Sequence, residues 1–165
     1  MDIRDIFLLQ LGLSLIVIAL LFAWYLRPWL RDKPYDTALI LLIAPHTFRH
    51  IGMTFQVPGV VSPSMPANFA NSAGYGDLAA GLLALLAIVA LRLNWPFKLG
   101  FVWLFSFVGI ADLANALRQT EAITHMGAMW FVPTFFVPLL LITHVMVVAR
   151  LLRGPVPTHA QPTAP

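Results

Sequence analysis

The sequence contains no cysteine and few charged residues. Because cysteine is absent from its 165 residues, neither a disulfide nor a thiolate metal site is available. Charged residues make up 10% of the chain, whereas ordinary soluble domains contain roughly 25%. So few charges cannot cover a water-facing surface. We therefore expect an integral membrane protein whose first partner is the lipid bilayer.

Catalytic and nucleic-acid-binding patterns are also missing from the sequence. It has no P-loop, glycine-rich dinucleotide fingerprint or nucleophile elbow, and Ser14 and Ser106 lie on apolar runs without an evident histidine partner. The formal net charge of +3 is spread over short segments and forms no basic stripe. The sequence therefore favours a non-enzymatic role and argues against a nucleic-acid partner.

Long apolar runs are what the sequence has instead. A helix needs about 20 apolar residues to cross the hydrocarbon core of a bilayer. Five runs reach or approach this length, at about residues 6–26, 37–57, 76–91, 97–117 and 128–148. They predict an all-α bundle of five transmembrane helices in one domain, residues 1–153. Residues 154–165 are polar and rich in proline, and we expect them to form a disordered tail.

The basic residues between these runs predict the topology. Arg4 and Arg118 fall on one side of the membrane. Seven basic residues fall on the other side: Arg27, Arg31, Lys33, Arg92, Lys98, Arg150 and Arg153. The positive-inside rule then places the N-terminus outside and the C-terminus in the cytoplasm. We expect the membrane to be the inner membrane of a bacterium.

Ionisable residues interrupt the second apolar run. His46, Arg49 and His50 have the spacing i, i+3, i+4, which places them on one face of an α-helix. At a rise of about 1.5 Å per residue, His50 lies about 20 Å from the cytoplasmic end of its helix. Asp112, on the fourth run, lies at a similar depth of about 22 Å. Since a buried guanidinium needs a counter-charge, we predict that Arg49 pairs with Asp112.

These residues predict a polar site in the outer half of the bundle. Asn115 follows Asp112 by one turn, His46 would lie below the cluster, and Asp77 would lie towards its mouth. Arginine can hold an anion, and histidine, with an ordinary pKa of about 6.5, can exchange protons. The first hypothesis is therefore binding or transport of a small polar or anionic ligand, or of protons. Its ligand-binding or proton-binding residues would be His46, Arg49, His50, Asp77, Asp112 and Asn115.

Two further hypotheses stay open at this point. His46 and His144 would lie about 13 Å and 9 Å from the cytoplasmic ends of their helices, so they are candidate axial ligands of a b-type haem in an electron-transfer or sensory protein. Alternatively, the polar cluster fixes helix register in an accessory subunit, within a homo-oligomer or a larger membrane complex. A metal site is not expected, because Arg49 between two histidines is a poor neighbour for a cation.

Overall fold

The computed structural model describes residues 1–155, which are helical and contain no strand. This confirms the prediction of an all-helical chain with five apolar spans. Residues 156–165 of the predicted disordered tail lie outside the described residues. Five helices in the described part are long and apolar enough to cross a membrane: α1 (Ile3–Arg31), α2 (Tyr35–Gln56), α3 (Ala67–Arg92), α4 (Lys98–Arg118) and α5 (Gly127–Arg153).

Helix α3 is longer than the apolar run that predicted it. It begins at Ala67, directly after Pro66, and not near residue 76. The segment between them is rich in Asn, Ser and Gly, which resembles a loop, but Phe69 and Ala73 are buried there in a hydrophobic cluster with Phe55. Asp77 therefore lies inside the helix, about 15 Å from its start.

Helix α3 is the centre of the bundle and packs between α2 and α4. Ala80 and Ala84 of α3 are fully buried at these contacts. Because their side chains are small, the helix backbones can approach closely. At Gly81, an added Cβ atom would lie 3.4 Å from the backbone nitrogen of His50. Helix α1 is peripheral: it packs mainly against α5, and few of its side chains are buried.

The second half of α2 is a 3₁₀-helix, Ala44–Gln56. Pro45 lacks the N–H that would continue the α-helical hydrogen bonds. In a 3₁₀-helix every third side chain lies on the same face, and the residues buried here follow that spacing. They are His46, Arg49, Gly52 and Phe55. The prediction that His50 shares the buried face is wrong, because it assumed 3.6 residues per turn; His50 is exposed.

Two hydrophobic clusters fill the bundle, one at each end of this 3₁₀-helix. We name them after the predicted topology: the inner cluster lies on the Ala44 side and the outer cluster on the Gln56 side. The inner cluster is built around Leu39, Ile43 and Phe105. The outer cluster contains Phe55 and Phe69. The two rings pack edge to face with their centroids 5.2 Å apart. His46 and Arg49 of α2 lie between the two clusters, so a polar layer separates two apolar halves.

The 3₁₀ geometry can be tested with two phenylalanines. Phe48 and Phe55 are seven residues apart, which separates them by about 20° in an α-helix but by about 120° in a 3₁₀-helix. Phe48 is 55% exposed and Phe55 is 4% exposed. We expect Phe55→Ala to lower the free energy of unfolding in detergent by about 3–5 kcal/mol, and Phe48→Ala to lower it by less than about 1 kcal/mol. Equal losses would show that the two rings share one face.

Candidate functional site

The guanidinium of Arg49 lies at the centre of the polar layer and contacts two other helices. Its Nε donates to Oδ1 of Asp77 on α3 at 2.7 Å. Its Nη2 donates to Oδ2 of Asp112, and its Nη1 donates to the carbonyl oxygen of Gly109 at 3.3 Å, both on α4. The predicted pairing of Arg49 with Asp112 is therefore present. We call Arg49, Asp77 and Asp112 the triad.

The triad is shielded from the surroundings. Arg49 is 1% exposed, and the two carboxylates are largely covered. With both carboxylates ionised, the three side chains carry a formal charge of −1. In a low-dielectric interior, a net charge of this kind is costly unless another charge or a proton offsets it. The triad is therefore a site that favours an additional positive charge.

Three glycines make room for the charged side chains. An added Cβ atom would collide with the carboxylate of Asp77 at Gly52, and with that of Asp112 at Gly76. At Gly109, it would lie 2.7 Å from Cε1 of His144. The side chains of the polar layer thus occupy the space that a larger residue would fill. This close fit explains how three helices can approach around charged groups.

The remaining predicted site residues lie elsewhere. Asn115 is exposed, and its backbone oxygen accepts a hydrogen bond from Nε2 of Gln119 at 3.4 Å. His50 is exposed, and its Nδ1 lies 3.0 Å from the carbonyl oxygen of Thr47. The predictions that Asn115 and His50 belong to the cluster are therefore wrong. Asp77, placed by prediction at the mouth, contacts Arg49 directly.

Two buried histidines lie below the triad. His46 and His144 meet edge to face with ring centroids 4.6 Å apart, and the ring of Phe105 packs against both. Nε2 of His46 lies 2.9 Å from Oγ1 of Thr143, a hydroxyl that also lies 2.9 Å from the carbonyl oxygen of Leu139. The same hydroxyl lies 3.1 Å from the carbonyl oxygen of Leu140, so Thr143 connects the ring of His46 to the backbone of α5.

The histidine pair does not fit the haem hypothesis in this arrangement. Axial ligation by two histidines requires the porphyrin plane to lie between the imidazole rings, whereas the rings of His46 and His144 are in direct contact. Haem binding would require α2 and α5 to separate. Within residues 1–155, no group of three or more His, Cys, Asp or Glu side chains is arranged to hold a metal ion.

A cavity of about 190 Å³ lies between the triad and the cluster that contains Phe55. Arg49, Asp77 and Asp112 form one wall, and the remaining lining is largely apolar, from all five helices. Leu8 of α1 and Leu117 of α4 line the cavity and are also exposed at 62% and 42%. The cavity therefore reaches the lateral surface of the bundle between α1 and α4.

Some of these features could not be anticipated from spacing alone. The roles of Gly52 and Gly76 depend on which helices are neighbours, and the sequence does not specify that. Thr143 directly precedes His144, but its contact with His46 depends on the packing of α2 against α5. One signal was available, namely Pro45 followed by small or polar residues at intervals of three.

Comparison with known proteins places the chain in a family. No curated protein and no solved structure matches it. Residues 6–152, which include all residues of the triad and both buried histidines, match a family that is described as a domain of unknown function, DUF8737. The match covers far more than half of the chain. The protein therefore belongs to the DUF8737 family.

Proposed function

We propose that this protein binds, within the membrane, a small ligand that has an apolar body and one positive charge. The observation that carries the proposal is the apolar cavity with two carboxylates and one guanidinium in its wall. The apolar body of the ligand would displace lipid or water from the cavity lining. Its cationic group would offset the formal charge of −1. Proton uptake by the triad would offset the same charge when the ligand is absent.

The charge of the triad supports a cation over the anion expected from the sequence. An anion would have to compete for Arg49 with acceptors already in place, because three of the five guanidinium N–H groups donate to Asp77, Asp112 and the Gly109 carbonyl. A monovalent anion would also make the formal charge of the site more negative, from −1 to −2. In a water-poor environment this repulsion is large. We therefore propose a cationic ligand.

The cavity volume limits the size of the ligand. A cavity of about 150 Å³ lined by apolar side chains binds benzene in another protein, and the cavity here has about 190 Å³. A single six-membered ring with an aminomethyl group is of suitable size. Larger drug-sized molecules would require the surrounding helices to move.

The packing below the triad supports binding over passage across the membrane. The cavity lies on the outer side, whereas the inner half is filled by the cluster around Leu39, Ile43 and Phe105. Transport of a ligand or of protons would need an opening through this cluster. The alternative role, a polar layer that only fixes helix register in an accessory subunit, predicts no ligand binding.

The same proposal includes an orientation in the membrane. The distribution of basic residues supports an outer N-terminus and a cytoplasmic C-terminus. The proposal places the protein in the inner membrane of a bacterium. The cavity would then face the outer leaflet.

The orientation can be tested with single cysteines, because the natural chain has none. Ser64 and Asp32 are both exposed and lie at opposite ends of the bundle. We expect a membrane-impermeant maleimide to label Ser64→Cys in intact cells and Asp32→Cys only after permeabilisation. The reverse pattern would show that the topology is inverted and that the cavity faces the cytoplasm.

Ligand binding can be tested with benzylamine, which is cationic at neutral pH, and with toluene and benzoate as neutral and anionic counterparts. We expect benzylamine to raise the midpoint of thermal unfolding of the detergent-solubilised protein more than toluene does, and benzoate to have no effect, because binding to the folded state stabilises it. Asp112→Asn should abolish the preference for benzylamine over toluene, since it removes the excess charge.

A cavity-filling variant provides the control. Ala116 lines the cavity, whereas Ala111 on the same helix is exposed. Ala116→Phe should abolish stabilisation by both benzylamine and toluene, and Ala111→Phe should leave it unchanged. If none of the three compounds stabilises the natural protein, the triad is structural. If benzoate stabilises it most, the charge argument is wrong.

A further inference from the structure

A second cavity of about 730 Å³ lies at the opposite end of the bundle, between the C-terminal ends of α1 and α5. Lys33 and Pro34, between α1 and α2, and Tyr35 at the start of α2 also line this cleft. Its volume falls within the range of about 300–1,000 Å³ that is typical of small-molecule sites. The cleft shares no lining residue with the cavity beside the triad.

All the charged residues that line the cleft are basic. They are Arg27, Arg31, Lys33, Arg150 and Arg153. The ion pairs of residues 1–155 are those of the triad and the pair of Lys98 with Asp36 at 2.5 Å, so within this part of the chain none of the five has a carboxylate partner. Residues 156–165 contain no acidic side chain either.

Helix dipoles offset only a small part of this charge. The C-terminus of a helix carries about half a negative charge, so the ends of α1 and α5 together contribute about one unit. Counted over the residues that line the cleft, which do not include Asp32, five basic side chains therefore leave an excess of roughly four positive charges. The positive-inside rule accounts for their side of the membrane, but it does not account for their convergence on one cleft. Arg92, for example, has the same predicted side and lies outside it.

Arg150 is held in position at the base of the cleft. Its Nη1 and Nη2 donate to the carbonyl oxygens of Leu30 and Lys33, each at 3.4 Å. Its guanidinium lies over the ring of Tyr35, and the Tyr35 hydroxyl donates to the Arg150 carbonyl oxygen at 3.1 Å. A guanidinium fixed in this way needs little further ordering to bind an anion.

The rest of the cleft is apolar. Helix α1 contributes Ala19, Phe22 and Ala23, and it contains a π-helical turn at Phe22–Leu26. Such turns are rare in proteins, and those that occur are often found at functional sites. Helix α5 contributes Ile142 and Val145, both on the side of the cleft that continues along the membrane span. An occupant therefore needs an anionic group at one end and apolar chains at the other.

We infer that this cleft binds an anionic phospholipid, with the phosphate-bearing head group among the five basic side chains and the acyl chains along α1 and α5. Basic pockets between transmembrane helices at the cytoplasmic side bind anionic lipid head groups in other proteins. Inorganic phosphate shares the head-group chemistry, but it would leave the apolar surface of the cleft uncovered. The inference does not depend on the ligand proposed for the outer cavity.

The test uses the purified full-length protein in detergent, with phosphatidylglycerol and phosphatidylcholine of identical acyl chains at equal concentrations. Native mass spectrometry measures the ratio of the two bound lipids. We expect phosphatidylglycerol to be preferred, and the preference to fall about fivefold in Arg27→Gln and in Arg153→Gln, since each basic side chain near the surface contributes roughly this factor. Both side chains are exposed, so neither substitution removes packing from the core.

Arg92→Gln is the matched control, because Arg92 is also exposed and basic but lies outside the cleft. It should leave the preference unchanged. Equal binding of the two lipids to the natural protein would overturn the inference, and so would equal effects of all three substitutions. Displacement of phosphatidylglycerol by millimolar inorganic phosphate would show that the cleft recognises a free anion and not a lipid.

Discussion

The arrangement of the bundle depends on one buried guanidinium. Arg49 lies on α2, and its hydrogen bonds to Asp77 and Asp112 fix the depth and rotation of α3 and α4 around it. Removal of Arg49 would leave two buried carboxylates without a counter-charge. The loss of one partner from a buried ion pair costs about 3–5 kcal/mol, a large fraction of the stability of a small domain. Gly52 and Gly76 lie opposite these carboxylates and follow from the same constraint, because any larger residue there would displace a carboxylate.

The 3₁₀ geometry of α2 decides which side chains can reach this layer. The sequence predicted five apolar helices correctly, since run length and composition determine them, and depth along each helix brought Arg49 and Asp112 to one level. The prediction failed for His50, because an α-helix has 3.6 residues per turn and a 3₁₀-helix has 3.0. This difference changes the face on which His50 lies. It failed for Asn115 because helical spacing does not tell which face of α4 meets its neighbours.

The two ends of the protein have opposite electrostatic character. The cavity beside the triad contains one more carboxylate than guanidinium, whereas the cleft between α1 and α5 is lined by five basic side chains and no acidic one. The inner charges could be read from the sequence as a topology signal, but their convergence requires the packing of α1 against α5. The charge balance beside the triad depends on Asp77, and the start of α3 at Ala67 places Asp77 inside the helix.

The most direct test of this account is a double-mutant cycle on Asp77→Asn and Asp112→Asn, with the free energy of unfolding measured in detergent. Each single substitution leaves Arg49 with one carboxylate, so the formal charge of the site becomes zero. The double substitution leaves a buried guanidinium without a counter-charge. We predict that the double variant loses at least about 1 kcal/mol more than the sum of the single losses. Additive losses, within about 0.5 kcal/mol, would contradict a guanidinium shared between the two carboxylates.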